Sequence, residues 1–120
     1  MRVLIADDSK VMRMILQRAL RQSGLHIDAV CEAADGAVAL DAIATFAPTL
    51  ILCDWNMPNM TGIEFLQKLR ATGNRTTVGF VTSESNTEMK EQAIAAGAAF
   101  FLKKPFDAER LAEVIGAVVA

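Results

Sequence analysis

The stretch 50-LILCDWNMPNMTG-62 decides the fold. Its first four residues, Leu50 to Cys53, are all apolar. They are too few for a helix and lack the polar alternation of a half-exposed strand, so the run reads as a strand buried on both faces. It ends on a carboxylate, Asp54, and a loop rich in Pro and Asn follows. Thr61-Gly62-Ile63-Glu64 then has the T-x-x-E spacing of a capping box, in which hydroxyl and carboxylate each take up a backbone N–H at a helix start. That helix is expected to reach about Ala71 and to stop near Gly73. A doubly buried strand leading into a helix is part of a parallel sheet, because parallel neighbours need a crossover between them.

The pattern repeats along the chain. Upstream, Val3 to Ala6 reads as a first strand. A helix follows, capped by Asp8 or Ser9, with Met12, Ile15, Leu16 and Ala19 at helical spacing and Gly24 at its end. Ile27 to Glu32 is a second strand. Asp35 opens a second helix carrying Val38, Leu40 and Ile43, which stops before Pro48. Downstream, Thr77 to Val81 is a fourth strand, Ser85-Asn86-Thr87-Glu88 a second capping box, and Gly97 the end of a fourth helix. Ala98 to Leu102 is a fifth strand, with Phe100 and Phe101 on opposite faces. Asp107 caps a last helix with Leu111, Val114, Ile115 and Val118 on one side. Five such repeats with right-handed crossovers predict an α/β fold: a single doubly wound (βα)5 domain over residues 1–120, its parallel five-stranded sheet in the order 2-1-3-4-5.

The 120 residues are 52% hydrophobic and carry a net charge of −2. That composition excludes a disordered chain and gives no sign of nucleic-acid binding. No apolar run is long enough to span a bilayer and no signal peptide is written at the start, so a cytoplasmic location is expected. Cys31 and Cys53 fit no zinc spacing. In the strand order above the first strand lies between them, beyond a disulfide's reach, so both are expected to be free thiols.

All strands of a parallel sheet end at one edge, so the residues just past each become neighbours. Asp7 and Asp8 follow the first strand, Asp54 ends the third, Thr82 and Ser83 follow the fourth, and Lys103, Lys104 and Pro105 follow the fifth. Strands one and three are adjacent in this order, and the crevice between them is where such folds bind ligands. Carboxylates crowded there disfavour one another's ionisation. A hard cation relieves this, and an all-oxygen set with room for water suits Mg²⁺, with Mn²⁺ as a substitute. A lysine and a threonine hydroxyl would hold phosphate oxygens. Cation, ammonium and hydroxyl around one carboxylate is an arrangement for phosphoryl transfer, with Asp54 as nucleophile and an aspartyl phosphate as product.

The ordered set Asp7-Asp8, Asp54-Trp55-Asn56-Met57-Pro58, Thr82-Ser83-Glu84 and Lys104-Pro105 resembles the receiver domain of bacterial response regulators, most closely the stand-alone chemotaxis type. The resemblance covers the whole chain. It implies that Asp54 is the phosphoacceptor and that Thr82 and Lys104 bind the phosphoryl oxygens. It implies Mg²⁺ on Asp8, Asp54 and the main-chain carbonyl of Asn56, with Asp7 holding the metal's water shell or binding less directly. A cis bond before Pro105 would aim Lys104, rather than Lys103, into the site. A histidine kinase would supply the phosphate, and the domain would catalyse both the transfer and its own dephosphorylation. Phe101 would turn inward as Thr82 moves toward the phosphate. The chemotaxis type resembles a tyrosine case at this position; Phe101 has no hydroxyl, which tells against a flagellar-motor partner. Asn56 and Glu84 lie two residues past Asp54 and Thr82, where they can orient a water. The same pair in the chemotaxis type implies a short-lived phosphate.

Two surfaces are expected to bind partners. Lys10, Arg13, Met14, Gln17 and Arg21 share the outer face of the first helix, which the resemblance makes the kinase-docking face, with Met14 as its apolar contact. The fourth helix buries mostly Met89, Ala93 and Ala96; small side chains bury little area, so this helix is easily shifted. With the fifth strand and fifth helix it is expected to form the output face for a downstream protein. A monomer is expected, with no nucleic acid and no membrane as partner. Rival readings are a flavodoxin-type electron carrier, which would need a hydroxyl- and glycine-rich loop where Asp7-Asp8 stand, and a dehalogenase-type hydrolase, whose nucleophile would follow the first strand. A further alternative is a receiver piece of a longer regulator with a separate effector domain.

Overall fold

The computed structural model describes residues 1–84 and 86–119. Strands and helices alternate: β1 (Arg2–Ala6), α1 (Lys10–Gln22), β2 (Ala29–Ala33), α2 (Gly36–Phe46), β3 (Leu50–Cys53), α3 (Gly62–Ala71), β4 (Thr77–Thr82), α4 (Thr87–Ala95), β5 (Phe100–Lys103) and α5 (Ala108–Val119). The strands form one parallel sheet in the order β2-β1-β3-β4-β5. The expected doubly wound α/β architecture is the one observed.

Local chemistry explains most boundaries. β1 and β3 lie inside the sheet and are buried from Val3 to Ala6 and from Leu50 to Cys53, hence their unbroken apolar runs. β2 is an edge strand with alternating burial, and it begins two residues later than its hydrophobicity suggested. Ile27, expected to open that strand, instead packs against the core from the preceding loop. Ser9, not Asp8, caps α1 by accepting the Met12 N–H. The Thr61/Glu64 capping box of α3 is complete in both directions. At α4 the cap is Asn86, which accepts the Met89 N–H at 2.8 Å. Ser85, which opened the expected box, lies outside the described residues.

Helix orientation departs from the sequence pattern in one respect. Leu16, Ala19 and Leu20 are the buried residues of α1, while Ile15 is 44% exposed. The apolar arc of α1 is wider than the stripe the sheet covers. Val38 of α2 and Val118 of α5 turn outward for the same reason, with Ala39, Leu111 and Ile115 taking the core positions.

Period-two alternation divides the core between the two faces of the sheet. Val3, Ile5, Leu50, Leu52, Val81, Phe100 and Leu102 pack with Leu16 and Leu20 of α1 and Leu111 and Ile115 of α5. Leu4, Ala6, Ile51, Cys53, Val78 and Phe80 face the other way, with Trp55, Met57, Phe65, Leu66, Leu69 and Ala93. Phe101 packs on the margin of this second group, so Phe100 and Phe101 do take opposite faces. Gly79 faces the Phe100 ring, and a Cβ there would meet that ring at 2.0 Å. The missing side chain of β4 is thus filled by a ring from β5. Cys31 and Cys53 are free thiols, with β1 between their strands.

Candidate functional site

The sheet ladder continues one residue past each labelled strand end. Asp7 N–H donates to Ala33 O at 3.0 Å, Asp54 N–H to Ala6 O at 2.9 Å and Lys104 N–H to Thr82 O at 2.8 Å. Alternation therefore carries over: Asp7 follows Val3 and Ile5, Asp54 follows Leu50 and Leu52, and Lys104 follows Phe100 and Leu102. All three continue the rows that face α1 and α5. Thr82 follows Val78 and Phe80 and belongs to the opposite face. A buried strand ends on an acid because the core stops there and the rim begins.

Oxygens of Asp7, Asp8 and Asp54 lie within 4.8 Å of one another. Asp7 is almost wholly buried, accepting the Ser9 N–H at 2.9 Å and the Lys104 ammonium at 3.0 Å. The same ammonium lies 3.7 Å from Asp54 Oδ2. Lys104 is folded inward from the cis Lys104–Pro105 bond, while Lys103 is exposed. Asp8 stands at the exposed rim. Asp54 Oδ1 accepts the Trp55 N–H at 2.8 Å. Burial raises the pKa of Asp54 above the ordinary carboxylate value; Lys104 opposes this, Asp7 adds to it, and the Trp55 N–H and Thr82 hydroxyl oppose it further. Burial likewise pushes the neighbouring Cys53 thiol up, aided by the charges of Asp54 and Asp7.

The donor set fits a hard divalent cation. It consists of clustered carboxylates without His or Cys, one at the solvent rim and one partly open, so water can complete a shell. Asn56 lies exposed on the loop after Asp54 and Glu84 exposed after Thr82. Thr82 itself is buried, its hydroxyl oxygen accepting the Glu84 N–H at 3.3 Å.

Below Thr82 lies an aromatic trio. Ring centroids are 5.1 Å apart for Trp55 and Phe80, 6.1 Å for Trp55 and Phe101, and 6.3 Å for Phe80 and Phe101. Sequence reasoning singled out Phe101 and missed the other two. The signal was present: Phe80 shares its strand face with Thr82 by alternation, and the single Trp follows Asp54 directly.

The outer face of α1 departs from expectation at Arg13 and Gln17, both only partly exposed. Arg13 does not share the free face of α1; its guanidinium donates to Asp7 O at 2.7 Å and to Glu32 at 2.9 Å. Its long side chain reaches around the helix to the carbonyl at the end of β1. Lys10, Met14 and Arg21 remain exposed, and Met14 forms an apolar strip with Val11 and Ile15. On α4, Ala93 is the one fully buried residue and Ile94 is 59% exposed.

Comparison with known proteins gives the family. Residues 3–116 match the response regulator receiver domain family. The chain is 34% identical over 114 residues to the chemotaxis protein CheY of Bacillus subtilis, covering 95% of this chain and 93% of that one. It is also 34% identical to the response regulator MprA of Mycobacterium avium, covering 92% of this chain and 47% of MprA. Among solved structures, chemotaxis protein CheY4 of Vibrio cholerae superposes with a TM-score of 0.86 at 33% identity, covering 98% of both chains. The receiver domain of the putative response regulator NarL from Mycobacterium tuberculosis gives 0.88 at 32% identity, covering 97% of this chain and 93% of that one. The chain belongs to the response-regulator receiver domains, the CheY-like receivers of two-component signalling. Such domains generally use Mg²⁺ and act with histidine kinases and downstream targets. Among the described residues no helix is long and apolar enough to cross a membrane.

Proposed function

We propose that this domain accepts a phosphoryl group from a histidine kinase onto Asp54, alters its α4–β5–α5 surface for a downstream protein, and then removes the phosphate itself. The observation that carries this reading is the convergence of Asp7, Asp8 and Asp54 within 4.8 Å, with the Lys104 ammonium bridging Asp7 and Asp54.

An Asp54 carboxylate oxygen attacks phosphorus as the P–N bond to the kinase histidine breaks, and the imidazole leaves with that electron pair and takes up a proton. Mg²⁺, held by Asp8, Asp54 and the Asn56 carbonyl with Asp7 behind them, would neutralise charge on the phosphoryl oxygens. Lys104 exchanges part of its contact with Asp7 for a phosphoryl oxygen. The Thr82 hydroxyl donates to another, a charge-assisted bond stronger than a neutral one. Moving Thr82 opens space on the face of the aromatic trio, which Phe101 fills. In dephosphorylation, a water oriented by Asn56 and Glu84 attacks phosphorus; the P–O bond to Asp54 breaks, and the released phosphate keeps the water oxygen. Lys10, Met14 and Arg21 form the kinase-docking strip, with Arg13 bracing it from within.

In this reading the domain acts as a monomer that docks on its downstream protein. The equal identity to the longer MprA favours a second reading, the receiver of a regulator with an effector domain. Incubation with acetyl phosphate and MgCl2, followed by intact mass, tests the chemistry. Wild type is expected to gain one phosphoryl group that Asp54→Ala does not. No gain in wild type, or equal gain in both, would refute the assignment.

A further inference from the structure

The loop between β3 and α3 is tied down at both ends. At its base, Gly62 N–H donates to Trp55 O at 2.8 Å. Gly62 also packs so closely on the chain that a Cβ would lie 2.1 Å from Asp54 O. At its tip, the Asn59 amide donates to Asp35 Oδ2 at 2.9 Å. Asp35 is the N-cap of α2, and its other oxygen accepts the Val38 N–H at 2.9 Å. Next to this bond Gly36 lies against Met60, whose Cβ and backbone oxygen would sit 2.9 and 3.0 Å from an added Cβ. Asn59 takes a left-handed φ of 68°, a conformation that Asn tolerates better than most residues but still disfavours. The chain spends that strain where it presents its side chain to Asp35.

We infer that Asp35 and Asn59 are positioning residues for the metal site: their bond clamps the loop so that the Asn56 carbonyl stands ready for Mg²⁺. This rests on the assignment of Asn56 proposed above. Asn56 lies between the fixed base at Trp55 and the fixed tip at Asn59, so the clamp removes freedom that the carbonyl would otherwise lose on binding. Groups that orient a ligand without touching the metal commonly set its affinity. The Val38 N–H and the Asn59 amide both hold the Asp35 carboxyl below its ordinary range, as the charged clamp needs.

The test is calorimetric titration of the whole chain with MgCl2. Asp35→Ser keeps a cap for α2 but cannot also reach Asn59. Asn59→Gly keeps the left-handed backbone but has no amide. Each is expected to weaken Mg²⁺ binding about three- to tenfold, with little change in the metal-free unfolding midpoint. The exchange Asp35→Asn with Asn59→Asp reverses donor and acceptor and keeps both the cap and the left-handed tolerance. It is expected to return affinity to within about twofold of wild type. Unchanged affinity in both single variants, or an exchange no better than either, overturns the clamp while leaving the metal site standing. Asp8→Asn separates the two ideas: if wild type binds no Mg²⁺, or binds it equally without Asp8, the site assignment falls and the clamp with it.

Discussion

The two faces of the sheet are built differently. The face toward α1 and α5 is mainly aliphatic, with Phe100 in its core and Phe106 at its margin, and is closed by helices that bury leucine and isoleucine. The other face holds Trp55, Phe80 and Phe101 beneath the rim, and its α4 fully buries only alanine. The rim residues divide along the same line. Asp7, Asp54 and Lys104 continue rows of the aliphatic face, while Thr82 continues the aromatic one. Under the proposed function this is a division of labour: the aliphatic face would hold the charges that react, and Thr82 would link them to the face whose α4 is lightly buried.

The largest expected effect lies on the rigid face. Leu52 is fully buried two residues before Asp54. Leu52→Ala should cost about 2–5 kcal/mol by denaturant unfolding, the usual range for a buried leucine whose site cannot collapse. Ile94→Ala on α4 should change stability by less than about 0.5 kcal/mol, since that side chain is mostly exposed. Comparable losses at the two positions would erase the contrast.

A smaller effect concerns the rim itself. Asp54 has a folded-state pKa raised above its unfolded value, chiefly by burial. Below both values the group is neutral in both states and costs nothing. As pH rises through them, the unfolded chain releases the proton more readily, and the ionised folded state is penalised. Without metal, Asp54→Asn should therefore unfold at a higher temperature than wild type at neutral pH, and the gap should close on acidification. Mg²⁺ should narrow or reverse the gap by binding folded wild type. A variant less stable than wild type at neutral pH without metal would contradict the account of the site.

Much of this was legible in the sequence because the fold is written redundantly. The run Leu50 to Cys53 and the repeated strand–helix alternation both point to a parallel sheet, the Thr61/Glu64 box marks a helix start, and 2-1-3-4-5 is the common order for five such repeats. Asp7, Asp8, Asp54 and Lys104 could be brought together because strand ends define their positions without side-chain detail. What escaped was set by side-chain reach and by helix rotation. Arg13 reads as a surface charge, yet it is long enough to bond the Asp7 carbonyl. Ile15 fits the apolar period of α1, but the covered stripe is narrower than that period. The Asn59–Asp35 bond joins a loop to a helix cap 24 residues away, and nothing local announces it.

Hydrogen exchange with and without a phosphoryl mimic, beryllofluoride with Mg²⁺, tests the division between the faces most directly. The expected result is altered protection at α4 and β5, little change in the buried amides of α1, and no response in Asp54→Ala. Unchanged protection at α4, or a response concentrated in α1, would contradict it.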